Sequence, residues 1–388
     1  MLGRLHSQNS VSVMTVEVQD VDRILLVPKS HKIGQKRGGN GAYRVERWRK
    51  KVQYVLKWGK LFSFILLAPI CGVIFVRLLL KFTNELRLFS LLALLMLSGS
   101  SLWAQDKAKE TKKEIPEPEA IQLVTKKTGL QLHATYFGSN LEKEAAPIIL
   151  LHPWEEQGAL YYKFAKELQT MGYAVLVPDL RGHGKSIQAA VARDGKIDLA
   201  KMGKVDYGFI VAEDMEAMKG FLLREHNEGN LNIELLSVIG VGEGSMFGTL
   251  WAVNDWSFPS LPGMKQGQDV KALILISPVM TMKGVNAETA LKNPIFRQLS
   301  FFLVAGSTSS SSKNLGRMLK TLEKTHTYND KDLDASNLWL AEPNTSLEMA
   351  QFVNKQPKLS NAVDSFLSKR VKAYAKQLPW AERKQKLQ

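Results

Sequence analysis

The chain has 388 residues, of which 45% are apolar and 23% charged, enough to bury a core and unlike a disordered chain. Its net charge of +15 resembles a nucleic-acid signal only until it is mapped, because residues 1–105 carry 16 Lys and Arg against 5 Asp and Glu, leaving +4 for residues 106–388. The basicity therefore points to a cytoplasmic flank or a membrane surface, and no nucleic-acid-binding face is expected.

Residues 1–60 hold basic clusters without sustained periodicity and read as a poorly ordered segment with a short helix at 43–60. Two apolar runs follow. Residues 61–80 are about as long as a membrane span, interrupted by Arg77. Residues 86–105 have basic Arg87 near their start, a Leu-rich middle, and leave through Ser98-Gly99-Ser100-Ser101 to Ala104-Gln105, the pattern of a secretory signal peptide. A signal peptide this far from Met1 implies a true start between about Val76 and Leu86. The alternative is a membrane hairpin through residues 61–104, with the large domain on the side of the basic front. The only cysteine, Cys71, lies in the first run, so the remainder needs no disulfide and offers no Cys-based metal site.

Residues 106–119 are charged and Pro-containing, a linker. From 120 to 375 the pattern is that of one domain, and 376–388 is a basic tail. Residues 121–125 and 130–136 are β-rich and read as a hairpin. Short apolar runs at 147–151, 174–177, 235–239, 272–276, 301–305 and 338–341 suit strands buried on both faces. Between and after them, 159–171, 208–224, 245–253, 313–324 and 361–374 carry helical patterns, the first stopped by Gly172. Such alternation predicts right-handed crossovers and a mostly parallel central sheet with helices on both faces. Only about 24 residues separate the strands ending at 276 and starting at 301, so no large lid is expected.

Two motifs narrow the fold. Leu150-Leu151-His152-Pro153-Trp154 closes one strand, and Met171-Gly172-Tyr173-Ala174-Val175-Leu176-Val177-Pro178-Asp179-Leu180-Arg181-Gly182-His183-Gly184-Lys185-Ser186 spans the next. Together they resemble the first half of α/β-hydrolases, where an apolar strand ends in His-Gly and a later one in Pro-Asp-x-Arg-Gly-x-Gly-x-Ser. The chain further resembles exported hydrolase-like proteins of planctomycete-type bacteria. In such a turn the glycines reverse the chain, so His183 reads as a loop residue rather than a base. Gly184-Lys185-Ser186 mimics a phosphate loop, but Asp179 stands where that motif needs glycine.

The resemblance implies a nucleophile on a strand–turn–helix elbow, G-x-S-x-G, then an acid and a histidine in that order. The elbow reads Gly240-Val241-Gly242-Glu243-Gly244-Ser245-Met246-Phe247-Gly248. One register places Gly242 at the nucleophile position, the other Gly244, and Ser245 stands there in neither. Ser245 reads first as an initial-turn residue of the following helix, and alternatively as a displaced nucleophile. The acid position falls on Ser309, in a run of serines without a carboxylate. The loop expected to carry the histidine, 342–347, has none, and the last histidine, His326, reads as a surface residue. Around the oxyanion position, Pro153 replaces the family's glycine and lacks an N–H. With His152 and Trp154 it is a pocket candidate, Trp154 lining a shallow cleft or covering the sheet edge.

The sequence therefore predicts an exported or membrane-tethered α/β-hydrolase-fold protein without hydrolytic activity, with a small molecule or a protein as its unidentified partner. A serine hydrolase of esterase or peptidase class using Ser245, and a membrane-associated scaffold, are the alternatives. No metal and no cofactor is expected.

Overall fold

The computed structural model describes residues 113–190, 195–259, 261–262 and 264–383. The apolar runs at 61–80 and 86–105, and the basic segment before them, lie outside the described residues. Contacts divide the chain into residues 1–109 and 110–388, and the architecture is that of the second unit. Among the described residues no helix is long and apolar enough to cross a membrane.

Strands β1 (Glu119–Val124) and β2 (Gln131–Phe137) form the expected hairpin. Next come β3 (Pro147–Leu151), α1 (Tyr162–Thr170) and β4 (Ala174–Pro178). After α2 (Lys204–Phe209) the chain makes a π-turn (Ile210–Asp214) and continues as α3 (Met215–Asn227). It then builds β5 (Ser237–Val241), α4 (Gly244–Ser257), β6 (Ala272–Ile276), a ribbon of β7 (Thr281–Met282) with β8 (Val285–Asn286), and β9 (Ser300–Val304). The last elements are α5 (Ser312–Leu322), β10 (Leu338–Ala341), α6 (Met349–Lys355) and α7 (Leu359–Arg370).

The sheet order is β1-β2-β4-β3-β5-β6-β9-β10, with β2 antiparallel to both neighbours and β4, β3, β5, β6, β9 and β10 parallel to one another. The order reverses at β3, so loops leaving β3 and β5 flank a crevice at the strands' C-terminal ends, where open α/β sheets place their sites. Between β6 and β9 stand only the ribbon and 3₁₀ turns, a short insertion as expected.

Alternation along the strands sends side chains to two cores. Ile149, Leu151 and Val238 pack with Met218 and Leu222 of α3, Phe247 and Trp251 of α4 and Met318 of α5. Ile148, Leu150 and Ile239 pack on the other face with Phe164 and Leu168 of α1, Phe352 of α6 and Phe366 of α7. Each fully buried Leu or Phe contributes roughly 1.5–3 kcal/mol.

The Pro-Asp-Leu-Arg-Gly-His-Gly turn is structural. Asp179 accepts from the backbone N–H groups of Gly158 (2.9 Å) and Lys185 (3.0 Å), joining two loops. Arg181 is buried; its Nε donates to Asp214 Oδ2 at 2.9 Å and its Nη2 lies 3.5 Å from Glu213. The π-turn turns these two consecutive carboxylates toward one guanidinium. Burial pushes Asp214 up to about 6, opposed by Arg181 and assisted by Glu213.

His326 corrects an expectation: it is 7% exposed and not a surface residue. Its Nε2 faces Phe296 O (2.8 Å) and Leu299 O (3.1 Å), two acceptors that require this nitrogen to carry the proton. The ring stands edge-on to Phe301 at 5.1 Å. His326 thus ties the end of α5 to the turn before β9, a contact across 30 residues.

Candidate functional site

The step from β5 to α4 is a sharp turn whose apex is Gly242, at φ +54°. That left-handed conformation strains any L-residue, and it places Gly242 at the apex with Gly240 and Gly244 as flanks. Both flanks are close contacts: a Cβ on Gly240 would come within 2.5 Å of Ser245 Cα, and one on Gly244 within 2.5 Å of Leu151 O. The apex residue has no side chain to attack with. The space such a side chain would need is filled, since a Cβ on Gly242 would lie 2.5 Å from Pro153 Cβ and 3.5 Å from Met349 Cε. Pro153 arrives from the loop after β3, and Met349 opens α6.

Ser245 sits in the first turn of α4, fully buried. Its hydroxyl donates to Gly240 O at 2.8 Å and so ties the strand to the helix across the turn. The hydroxyl satisfies a carbonyl here, not an orphan N–H of the helix.

Both histidines at the end of the crevice are held neutral by their partners. Leu180 N–H donates to His152 Nε2 (2.9 Å), which leaves the proton on Nδ1 to donate to Pro153 O (2.7 Å). Burial pulls His152 down to about 4. Glu155 N–H donates to His183 Nε2 (3.1 Å), and His183 Nδ1 donates to Arg181 O (3.0 Å). Burial lowers this histidine too. Neither ring has a free nitrogen for acid–base work.

The backbone N–H of Trp154, in the loop that the resemblance assigns to the oxyanion side, donates to Glu243 Oε2 at 3.0 Å. A carboxylate from the residue after the apex therefore occupies that donor. The indole packs edge-on against His183 (4.4 Å) and Tyr207 (5.3 Å) and rests on the core. An open cleft of about 390 Å³ lies to one side, between residues 155–160 and 182–184. Trp154 does not line it.

The loops after β9 and β10 meet through backbone bonds, Ser307 N–H to Pro343 O (2.9 Å) and Thr308 N–H to Thr345 O (3.3 Å), and through Glu348. Ser309 Oγ lies 2.9 Å from Ser311 Oγ. Ser310 Oγ donates to Glu348 Oε1 at 2.9 Å, and Ser311 N–H to the same oxygen at 2.8 Å. Burial raises the Glu348 carboxyl, but these hydrogen bonds outweigh it and hold it below its ordinary value. A carboxylate thus comes from the loop where a histidine was sought and meets hydroxyls where a carboxylate was sought. Sequence reasoning missed Glu243, Glu348 and Met349. The only signal was the position of Glu243 beside the apex; the seven-residue α6 that carries Met349 has too few turns to show a period. Among the described residues no group of three or more His, Cys, Asp or Glu could hold a metal ion.

The family model described as serine aminopeptidase, S33, matches residues 142–356. The chain belongs to the S33 family of α/β-hydrolases. Solved structures similar to this S33 member include an esterase from Pyrococcus furiosus, 15% identical, covering 66% of this chain and 91% of its own with a TM-score of 0.46. A dienelactone hydrolase from Anabaena variabilis is 14% identical over 69% of this chain and 100% of its own, at a TM-score of 0.44. A carboxyl esterase from Bacillus coagulans is 11% identical over 66% of this chain and 99% of its own, at 0.47. No curated protein sequence matches this S33 member. Membership names the fold, and activity must be argued from the residues at the site.

Proposed function

We propose that this S33 member is a hydrolase-fold protein without hydrolytic activity, exported or tethered by its front end, that retains a binding role toward a small molecule or a protein. The observation that carries this reading is the glycine at the elbow apex with Pro153 packed where a nucleophile's side chain would stand. Three further features support it. The acid position holds Ser309, the loop after β10 has no histidine, and the donor of Trp154 is taken by Glu243. Ser245, the alternative nucleophile, is buried with its hydroxyl committed to Gly240 O and no histidine base beside it in the hydrogen-bond network. The open cleft beside residues 155–160 is the place for a small ligand. Export or tethering is supported by the apolar runs at 61–80 and 86–105.

The test is labelling with a fluorophosphonate serine-hydrolase probe, alongside Ser245→Ala. No label, and no turnover of activated esters, is the expected result. Labelling that disappears in the Ser245 variant overturns the proposal and makes the chain an active serine hydrolase. Fractionation addresses the front end: a retained front sends the protein to membranes, as the scaffold reading also requires, and a cleaved one leaves a soluble periplasmic domain.

A further inference from the structure

The far end of the sheet carries a feature that no hydrolytic reading uses. Residues 378–383, Leu-Pro-Trp-Ala-Glu-Arg, run along the segments that precede β5 and β6, at the strands' N-terminal ends and away from the elbow. Among the described residues, no backbone–backbone hydrogen bond ties 379–383 to the rest of the chain. Side chains hold this arm instead. Asn232 Nδ2 donates to Leu378 O (3.0 Å), and His226 Nε2 to Ala381 O (2.8 Å). Asn227 closes a two-way pair with Arg383, donating to its carbonyl (2.9 Å) and accepting from its N–H (3.0 Å). Three carbonyls and one N–H of the arm are thus read by three side chains.

Two arm side chains enter built pockets. Trp380 lies against the His226 ring, 5.3 Å between centroids, beneath the Lys143 ammonium at 3.8 Å, and its indole N–H donates to His226 O at 2.8 Å. Arg383 is buried; it donates to Asp269 Oδ1 and to Lys265 O (2.6 Å), and lies 3.4 Å from Glu234. Without the arm this pocket holds three carboxylates, Asp255, Asp269 and Glu234, with the ammonium groups of Lys219 and Lys265 paired to them and Lys271 within electrostatic reach. The arm's guanidinium is received by Asp269 and Glu234 of this cluster. Its planar fork suits a carboxylate beside a carbonyl.

We propose that this surface is a peptide-binding groove that recognises an extended segment with Trp followed three residues later by Arg, and that the chain's own C-terminal arm is its occupant. Backbone reading by Asn and His supplies register, and the indole and guanidinium pockets supply sequence preference. The arm is then a ligand supplied in cis, and the groove accepts the same segment in trans once the arm is gone.

The experiment uses the full chain with a protease site inserted after Lys376. After cleavage and gel filtration, a fluorescent peptide of residues 377–383 is titrated and its anisotropy followed, with Arg383→Ala and Trp380→Ala peptides in parallel. Cooperative urea unfolding of the cleaved chain is recorded beside it. Saturable binding, weakened at least tenfold in either substituted peptide, with unfolding still cooperative, is the expected result. Absence of binding, or equal binding of all three peptides, overturns the proposal. So does loss of cooperative unfolding on cleavage, because the arm would then be part of the core and not a ligand.

Discussion

Gly242→Ser places a nucleophile's side chain back at the elbow apex, and the structure sets its cost. The φ of +54° strains any L-residue, at roughly 1–2 kcal/mol. The new Cβ would stand 2.5 Å from Pro153 Cβ, far inside the ordinary carbon–carbon separation of about 3.5–4.0 Å. Forcing that contact apart in a packed site costs about 1–3 kcal/mol more. The variant should therefore lose about 2–5 kcal/mol of unfolding free energy, and with no histidine to take its proton it should not turn over esters. Pro153→Gly removes the colliding atom but leaves the backbone strain. In a double-mutant cycle followed by urea denaturation, the pair should be about 1–3 kcal/mol better than additive. A Gly242→Ser protein as stable as the parent, or a cycle that closes at zero, would refute the packing argument on which the inactive reading stands.

Other outcomes follow from the same contacts. Arg181→Met leaves Glu213 and Asp214 buried without their cation, and should cost about 3–5 kcal/mol by urea denaturation; a loss below about 1 kcal/mol would show that the pair is not desolvated. Burial holds His152 at about 4, below the roughly 6.5 of an unfolded chain. Its contribution is therefore complete above about pH 6.5 and falls away as the pH drops toward 4, by up to about 3 kcal/mol. Urea midpoints at pH 7.5 and 4.5 measure this, and His152→Asn should flatten the difference. For Asp269, burial raises the carboxyl, but Lys219, Lys265 and Arg383 together hold it well below the usual range. Its stabilisation should persist down to about pH 4 and be lost only below that, so Asp269→Asn should blunt acid unfolding in that lower window. Glu348→Gln should speed hydrogen exchange at the amide of Ser311, whose acceptor it weakens; unchanged exchange would remove the carboxylate from any role in that turn.

The parts of the fold that were legible in sequence are those written in short, local signals. Apolar runs of four or five residues marked the parallel strands, and the Pro-Asp-Leu-Arg-Gly-His-Gly turn placed β4 and its exit. The glycine run located the elbow but left two registers open, because the deciding quantity is a backbone angle at Gly242. What sequence could not show are contacts between distant segments. Pro153 meets Gly242 across 89 residues, the same separation as Trp154 and Glu243. His326 reads as exposed because it lies just past a helix and before the last strand, and only the carbonyls of Phe296 and Leu299 explain why it is inside. The helical pattern at 208–224 was found, but the π-turn within it was not, since one extra residue barely disturbs an apolar count.

That π-turn also fixes how the helix tolerates change in length. Buried positions include Tyr207, Ile210, Met218, Leu222 and three consecutive residues, Glu213, Asp214 and Met215, where the coil widens. Five residues of the wider coil at Ile210–Asp214 turn about as far as four of an ordinary α-helix, so the extra residue is absorbed there. Removing one residue there would restore a regular α-helix with both halves near their present phase, but two consecutive carboxylates, Glu213 and Asp214, could then no longer both face Arg181. The extra residue is what lets one helix present two neighbouring acids to a single guanidinium, so a deletion between 210 and 214 should cost that pairing while leaving Met218 and Leu222 on the core.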